Sequence, residues 1–262
     1  MLDQISAELW AVAEATADAA RVETLRYFRA TELVVETKAA EFDPVTVADR
    51  AAETAMRAVL SARRPEDGIL GEEHGRVEGT NSLTWVLDPI DGTRGYVSGT
   101  PTWGVLIALS DDDGPKLGVI DQPYIGERFM GGLGRAEMTG PLGTRPLEVR
   151  ATKALPDATL FTTFPEVGTA NEGAAFRRVA EHAKLIRYGC DCYAYALLAA
   201  GQIDLVIEAG LAAYDIQAPI AVVEAAGGIV TDWSGGPAHH GGRAIAAATP
   251  ELHRAALDML QE

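Results

Sequence analysis

Apolar positions at helical spacing dominate the first 65 residues of the chain. Between residues 3 and 29 they fall roughly along one stripe, which predicts a long amphipathic helix. The stripe consists of Ile5, Leu9, Val12, Ala19 and Val22, and the small polar Thr16 interrupts it. A second helix is predicted from Thr46 to Arg63, because its alanine-rich apolar positions keep the same period and Pro65 follows.

Between residues 83 and 149 the pattern changes to short β-rich runs separated by turn residues. The predicted strands are Thr84–Leu87, Val105–Leu109, Leu117–Ile120 and Arg128–Gly131. The loops between them are short, as in the Asp111–Pro115 turn. Short loops favour antiparallel neighbours, so this part of the chain is predicted to form an antiparallel sheet.

After residue 150 strands and helices alternate, which is typical of α/β architecture. The predicted strands are Thr159–Thr163, Leu185–Tyr188, Asp204–Glu208, Ile229–Asp232 and Ala244–Ala248. The predicted helices span 170–183, 190–200 and 215–226, and a closing helix has Thr249 as N-cap and Pro250 at its first position. The change of pattern predicts an N-terminal α+β domain over 1–150 and a C-terminal α/β domain over 151–262.

Composition and charge narrow the classes of function. Of the 262 residues, 47% are hydrophobic, which favours a globular protein, and the net charge of −16 argues against nucleic acid and anionic membranes as partners. The first residues lack the pattern of a signal peptide and no apolar run is long enough to span a bilayer, so a cytoplasmic protein is expected. A protein this acidic is suited to phosphate chemistry only if bound cations invert the local charge.

The two cysteines, Cys190 and Cys192, are predicted to be reduced thiols, because side chains so close in sequence bridge poorly. The five histidines show no ligand spacing around this pair, which argues against zinc. His239 and His240, in a stretch rich in glycine and proline, are expected in an exposed loop without a catalytic role.

The strongest chemical signal is the segment from Asp88 to Gly92, at the end of an apolar strand. Pro89 restricts the backbone, so that Asp88 and Asp91 can converge on one point with the Ile90 carbonyl as a third oxygen ligand. Hard cations such as Mg²⁺ prefer such ligands. A solvated Asp-Pro/Asp-Gly turn is the structural alternative.

Three further acidic residues lie at the end of an apolar run or at the start of a predicted helix. Glu72 follows the apolar pair Ile69-Leu70, Asp215 opens a predicted helix, and Asp49 fits a capping box with Thr46. An exposed acidic loop and ordinary helix caps would also explain them. Lys38 by itself fits an ordinary solvated lysine.

Four segments occur in the order seen in the inositol monophosphatase superfamily. They are Lys38 with Asp43–Asp49, Gly71–Glu73, Asp88–Thr93, and Tyr214-Asp215 followed by Gly227-Gly228. The chain resembles this superfamily over essentially its whole length. The resemblance implies a layered αβαβα sandwich, a Mg²⁺-dependent phosphatase of small soluble phosphate esters, about two or three bound ions with Mn²⁺ as an alternative, and a homodimer.

Roles for individual residues also follow from the resemblance. Metal ligation is implied for Glu72, Asp88, the Ile90 carbonyl, Asp91 and Asp215. Phosphate contacts are implied around Gly92 and Thr93, with Asp91 and Asp215 bordering the same substrate site. The attacking water is implied to lie between Glu72 and Thr93, with Asp49 hydrogen-bonded to Thr93.

Several segments look more like the histidinol-phosphatase branch than the inositol branch. They are Arg94–Gly104, Arg187–Tyr195, Ile207–Gly210 and Tyr214–Pro219, in which Tyr214 and Gln217 depart from the general family pattern. L-Histidinol phosphate carries an ammonium and an imidazole, so its pocket should offer anions. Asp191 and Glu208 are expected to hold that end, and Arg94 and Arg187 to bound the phosphate or the rim. Tyr193 and Tyr195 are expected in the core.

Three alternatives remain open on the sequence alone. The first is a phosphatase of inositol 1-phosphate or a similar polyol phosphate, whose hydroxyl groups Glu208 would also bind. Bisphosphorylated sugars or nucleotides would call for a second basic pocket, and the chain has no evident Lys/Arg cluster. An inactive relative acting by interaction would be expected to lack one of the carboxylates.

Overall fold

The structure is a computed structural model that describes residues 2–30, 35–37 and 44–261. Its helices are α1 (Leu2–Tyr27), α2 (Val47–Arg63), α3 (Thr93–Val97), α4 (Ala170–Ala180), α5 (Cys192–Ala199), α6 (Ala213–Ala225) and α7 (Pro250–Gln261). Its first ten strands are β1 (Val35–Thr37), β2 (Pro44–Thr46), β3 (Gly68–Gly71), β4 (Gly75–Val77), β5 (Thr84–Asp91), β6 (Gly104–Asp111), β7 (Gly114–Gln122), β8 (Glu127–Gly132), β9 (Arg135–Gly140) and β10 (Gly143–Pro146). The remaining strands are β11 (Thr159–Thr162), β12 (Leu185–Tyr188), β13 (Leu205–Leu211), β14 (Ile229–Thr231) and β15 (Gly242–Ala247).

The larger sheet has eight strands in the order β10-β9-β8-β7-β6-β5-β3-β4. Its hairpins are antiparallel as predicted, but β3 and β5 run parallel, so the expectation of a purely antiparallel sheet is wrong. The chain reaches β5 from β3 by way of β4, a third strand that pairs at the edge. The strands β4, β9 and β10 were not predicted, because their side chains are largely exposed and show little apolar alternation.

The second sheet has five strands in the order β12-β11-β13-β15-β14. The strands β12, β11 and β13 are parallel, and β15 pairs antiparallel with both β13 and β14. The observed strands and helices of this half lie within about three residues of those predicted. Their alternating order, with helices between strands, made these elements predictable from the sequence.

Three hydrophobic clusters show how the layers stack. Alternate β5 residues point to opposite faces: Trp85 and Leu87 pack with α1 and α2, whereas Val86 packs with α5 and α6. Helices α4 and α7 cover the far face of the second sheet. The result is the predicted αβαβα sandwich, in which α5 and α6 share their core with the first sheet. The domain division near residue 150 stays a prediction.

The buried face of α1 differs from the predicted stripe. Ile5 is 48% exposed and Val22 is 66% exposed, whereas Thr16 is fully buried. The Thr16 hydroxyl donates to the Val12 carbonyl oxygen at 2.9 Å, so its polar group is satisfied within the helix. Threonine therefore lies inside the apolar face of this helix, along with small alanines.

Other local predictions are confirmed. Thr46 and Asp49 form the capping box of α2, and the Thr249 hydroxyl accepts from the Leu252 amide at the start of α7. Cys190 and Cys192 are free thiols. Among the helices that the structure describes, none is both long and apolar enough to cross a membrane.

Candidate active site

Two of the predicted metal ligands lie at the end of β5, where the strand is irregular. Asp88 pairs with Leu106 and Asp91 with Gly104, so three steps along β5 oppose two along β6. In a regular strand, residues three apart would face opposite sides of the sheet. The bulge lets both carboxylates face the same site. The Ile90 amide donates to the Asp88 Oδ1 at 3.0 Å, which holds the first carboxylate in place.

The other two predicted ligands arrive from separate elements. Glu72 follows β3, whose parallel pairing with β5 brings both carboxyl ends to one edge, and its amide donates to the Leu87 carbonyl oxygen at 3.2 Å. Asp215 lies in the first turn of α6. One ligand oxygen each from Asp88, Asp91 and Asp215 lie within 4.8 Å of one another. Glu72 is not one of these three residues, but its charge acts on Asp88 together with the charges of Asp91 and Asp215, so Glu72 lies close to the group.

Burial and mutual repulsion dominate the electrostatics of this cluster. Burial, followed by the charges of Glu72, Asp91 and Asp215, raises the pKa of Asp88 well above its usual value. The pKa of Asp91 is raised well above its usual value, first by burial and then by Asp191 and Asp215. Burial raises the pKa of Asp215 to about 7, against the effect of the Ala212 amide, which donates to its Oδ2 at 2.7 Å. A cluster of carboxylates that raise one another's pKa is suited to a divalent cation.

The segment after Asp91 turns sharply into a short helix. Gly92 adopts the left-handed conformation, with φ of 85°, and Thr93 opens α3. A Cβ at position 92 would lie 2.8 Å from the Asp191 side chain, so glycine is required both by the turn and by this close approach. The Thr93 hydroxyl donates to the Ile90 carbonyl oxygen at 3.1 Å.

The resemblance implies a hydrogen bond between Asp49 and Thr93, but among the described residues Asp49 bonds to Thr46 instead. The Asp49 Oδ2 accepts from the Thr46 amide and hydroxyl, at 2.8 and 2.6 Å, because the capping box of α2 uses it. Burial, opposed by those bonds, raises the pKa of Asp49 to about 6, with smaller contributions from Glu73 and Glu72. Asp49 therefore lies within electrostatic reach of the cluster. Lys38 lies outside the described residues.

Asp91, Asp215, Asp191 and Glu208 line one cavity of about 190 Å³. The other lining residues are Thr162, Thr163, Phe164, Val167, Gly168, Cys192, Tyr195, Ala209, Gly210 and Leu211. The predicted substrate-side acids therefore share a cavity with two of the predicted metal ligands.

Asp191 lies at the N-cap of α5 but does not cap it. Its side chain makes no cap hydrogen bond, and its backbone has φ of 45°, a strained conformation for a residue with a Cβ. The Cys192 amide instead donates to the Asp91 Oδ2 at 2.6 Å. One metal-site carboxylate thus anchors α5, and the Asp191 carboxylate is left to face the cavity. Burial, offset by Arg94, raises the pKa of Asp191 to about 6.

Glu208 is held by two residues for which the sequence analysis found no role in the site. Its Oε1 accepts from the Thr163 amide at 3.1 Å and from the Thr163 hydroxyl at 2.5 Å, and its Oε2 accepts from the Tyr195 hydroxyl at 3.0 Å. Tyr195 was expected only in the core. It is buried there, yet its hydroxyl reaches the cavity. The adjacent, parallel ends of β11 and β13 were the available signal for Thr163.

The two arginines that were expected at the phosphate or the rim, Arg94 and Arg187, lie at different distances from the cavity lining. The Arg94 guanidinium lies 4.9 Å from the ring centroid of Phe164, a cavity-lining residue, and its expected place at the phosphate or the rim stays a prediction. Arg187 is exposed on β12, the edge strand of the second sheet, and is not among the cavity-lining residues. Its charge acts on Cys190, next to Asp191, and the expectation that Arg187 bounds the phosphate or the rim stays a prediction.

Gln217 also lies away from the cavity. Two residues after Asp215 in α6, it points to the other side of the helix. Its Oε1 accepts from the Ser110 hydroxyl at 2.5 Å, and its amide group donates to the His239 carbonyl oxygen at 2.9 Å. It links α6 to β6 and to the loop before β15. Reading Gln217 as a mark of substrate type is therefore not supported.

The chemistry of the donor set fits Mg²⁺. All the candidate ligands are oxygen atoms, supplied by four carboxylates and the Ile90 carbonyl. The neighbours that raise the pKa of Asp88 and Asp91 are other carboxyl groups, so bound cations would relieve the repulsion. A concave cavity opens beside the cluster, where a phosphate ester would have access.

Comparisons with known proteins agree with this site. The model of the inositol monophosphatase family matches residues 6–262. The chain is 40% identical to the bifunctional phosphatase IMPL2, chloroplastic, of Arabidopsis thaliana, over 96% of this chain and 74% of the relative. It is 36% identical to the histidinol-phosphatase of Mycobacterium tuberculosis, over 90% of this chain and 91% of that protein.

A solved structure of an inositol monophosphatase from Zymomonas mobilis is 39% identical, covers 96% of both chains and superposes with a TM-score of 0.85. Fold, acidic cluster and sequence similarity agree. The chain belongs to the inositol monophosphatase family of Mg²⁺-dependent phosphatases.

Proposed function

We propose that the protein hydrolyses the phosphate monoester of L-histidinol phosphate to L-histidinol and phosphate, a step of histidine biosynthesis. The observation that carries this proposal is the acidic lining of the cavity beyond the cation site. Asp191 and Glu208 line it together with Asp91 and Asp215. A substrate whose leaving group carries an ammonium and an imidazole suits such a lining.

Glu72, Asp88, the Ile90 carbonyl, Asp91 and Asp215 would hold about two or three Mg²⁺ ions, or Mn²⁺ in their place. When bound, the ions lower the pKa of the attacking water and neutralise charge on the phosphoryl group and the leaving oxygen. Glu72 and Thr93 would orient the water that attacks phosphorus, and Asp49, whose Oδ2 is held by Thr46, acts on this site through its charge. The amides around Gly92 and Thr93 contact the phosphate. The water oxygen bonds to phosphorus as the ester P–O bond breaks, and a proton released by that water passes to the leaving alkoxide, so that L-histidinol and phosphate are formed.

The leaving group occupies the acidic half of the cavity. Asp191 and Glu208 bind its cationic groups, which fixes the direction in which the ester enters. Arg94 and Phe164 border the opening, where an exposed guanidinium attracts the phosphate dianion.

Two further expectations belong to this proposal. The resemblance to the family implies a homodimer, and the sequence predicts a cytoplasmic enzyme. Similarity to the Mycobacterium tuberculosis histidinol-phosphatase supports the proposed substrate. Similarity to the Zymomonas mobilis inositol monophosphatase favours the second candidate, hydrolysis of inositol 1-phosphate or a related polyol phosphate.

A phosphate-release assay with and without Mg²⁺ separates the two candidates. We expect kcat/KM for L-histidinol phosphate to exceed that for inositol 1-phosphate by at least about tenfold, because a charge-assisted contact is worth roughly 1.4 kcal/mol or more. Both activities should disappear with a chelator. Equal values, or a preference for inositol 1-phosphate, would refute the substrate assignment.

A further inference from the structure

Glu208 is a buried carboxylate whose two oxygens are both bonded by protein donors. Its side chain comes from β13, and all three donated hydrogen bonds come from Thr163, just after β11, and Tyr195, in α5. Donors on both oxygens restrict rotation of the carboxylate plane. Burial raises the pKa of Glu208 to about 7, and the donors oppose that rise because each of them stabilises negative charge. The remaining lone pairs are available to the cavity that all three residues line.

This arrangement bears on substrate specificity, and the inference rests on the proposed function. We propose that Thr163 and Tyr195 are positioning residues that hold Glu208 as a fixed anion for the cationic group of the substrate. Neither residue needs to touch the substrate for this role. Without a donor, the Glu208 side chain would gain rotational freedom and lose stabilisation of its charge, and its contact with an ammonium or imidazole would weaken.

Helix α5 supplies a matched control two residues away from Tyr195. The Tyr193 hydroxyl donates to the Glu127 Oε2 at 2.6 Å, so it makes the same kind of bond to a carboxylate. Tyr193 is not among the residues that line the cavity, and Glu127 belongs to β8 of the first sheet. Tyr195→Phe and Tyr193→Phe therefore remove the same group from the same helix, but only the first acts on Glu208.

The experiment measures kcat and KM of the Mg²⁺-loaded enzyme with L-histidinol phosphate and with inositol 1-phosphate, whose leaving group is uncharged. We expect Tyr195→Phe and Thr163→Val each to raise KM for histidinol phosphate about tenfold, with a much smaller change in KM for inositol 1-phosphate. Thr163→Ser, which keeps the hydroxyl, should restore the wild-type KM. Tyr193→Phe should leave the ratio of the two KM values unchanged.

The outcomes separate this inference from the proposed function. The wild-type preference between the two esters tests the function, whereas the change in the KM ratio tests the positioning role. Equal rises in both KM values, or a fall in melting temperature with no change in the ratio, would show that Tyr195 is merely structural. A wild-type enzyme that prefers inositol 1-phosphate would overturn the proposed function together with the cationic partner inferred here.

Discussion

At the scale of single residues, the carboxylates of the site differ in how the backbone holds them. Asp88, Asp91 and Asp215 each accept a backbone amide, from Ile90, Cys192 and Ala212 respectively. Two of these amides lie within three residues of the carboxylate they hold, whereas Cys192 holds Asp91 from a distant segment, α5. The amides take up one oxygen of each carboxylate and leave the other for a cation.

Asp88 is buried, and the charges of Glu72, Asp91 and Asp215 all act on it. We expect Asp88→Asn to lower Mg²⁺-dependent kcat/KM by at least about 100-fold, because a ligand is lost while the shape is kept. The metal-free variant should melt at a higher temperature than the wild type, since one repelling buried charge is gone. Phosphate release and thermal unfolding in chelator measure the two effects.

Asp111→Asn is the matched control for that substitution. Asp111 pairs with Lys116 at 2.9 Å in the β6–β7 hairpin, and exposed pairs of this kind contribute little. Both activity and melting temperature should stay close to those of the wild type. Full activity of Asp88→Asn would remove Asp88 from the metal site.

At the scale of elements, the β3–β4 turn depends on a carboxylate in α2. The buried Glu53 accepts from the Glu73 amide at 2.7 Å and from the His74 amide at 3.2 Å, and Arg57 pairs with it at 2.6 Å. A Cβ at Gly71 would collide with the Glu53 carboxylate, so glycine is needed there. Glu53 therefore fixes the turn that presents Glu72 to the cation site.

We predict that Glu53→Gln weakens Mg²⁺ binding about tenfold, because one turn amide would then face the donor group of glutamine. The measurement is calorimetric titration of the protein with Mg²⁺ in the absence of substrate. Glu172→Gln is the control, since Glu172 also accepts a backbone amide, that of Thr169, but in the outer helix α4. Unchanged Mg²⁺ affinity in Glu53→Gln would show that the turn holds Glu72 without it.

At the scale of the whole molecule, acidic groups from distant segments share one interior. In the metal-free protein, burial is the largest cause of a raised pKa for each of them. The pKa is about 6 for Asp49 and Asp191 and about 7 for Asp215 and Glu208. A folded-state pKa above the unfolded value means that the folded protein holds more protons between the two values. Its free energy of unfolding therefore falls as pH rises through that window.

We expect the metal-free protein to lose melting temperature, by at least about 5 °C, between about pH 4.5 and about pH 7.5. Added Mg²⁺ should raise the melting temperature more at the upper end of this range, because protons compete for the same carboxylates at the lower end. Thermal unfolding in chelator and in Mg²⁺ across the range measures both effects. A metal-free melting temperature that rises with pH would contradict the raised pKa values.

The sequence by itself determined the family, the order of most elements and the identity of the acidic cluster. Local signals sufficed for these: strand alternation, the Thr46 and Thr249 caps, and the run from Asp88 to Thr93. Each depends on residues within about one turn or one strand of each other, where backbone geometry leaves few choices.

Only the tertiary structure decided which distant residues contact one another and which lie away from the cavity. It assigned Asp49 to its cap, brought Thr163 and Tyr195 to Glu208, turned Gln217 away from the cavity and left Arg187 on an edge strand. Which side chains meet across two sheets depends on strand order, a bulge and helix rotation. Those are properties of the packed molecule, and the spacing of residues along the chain does not encode them locally.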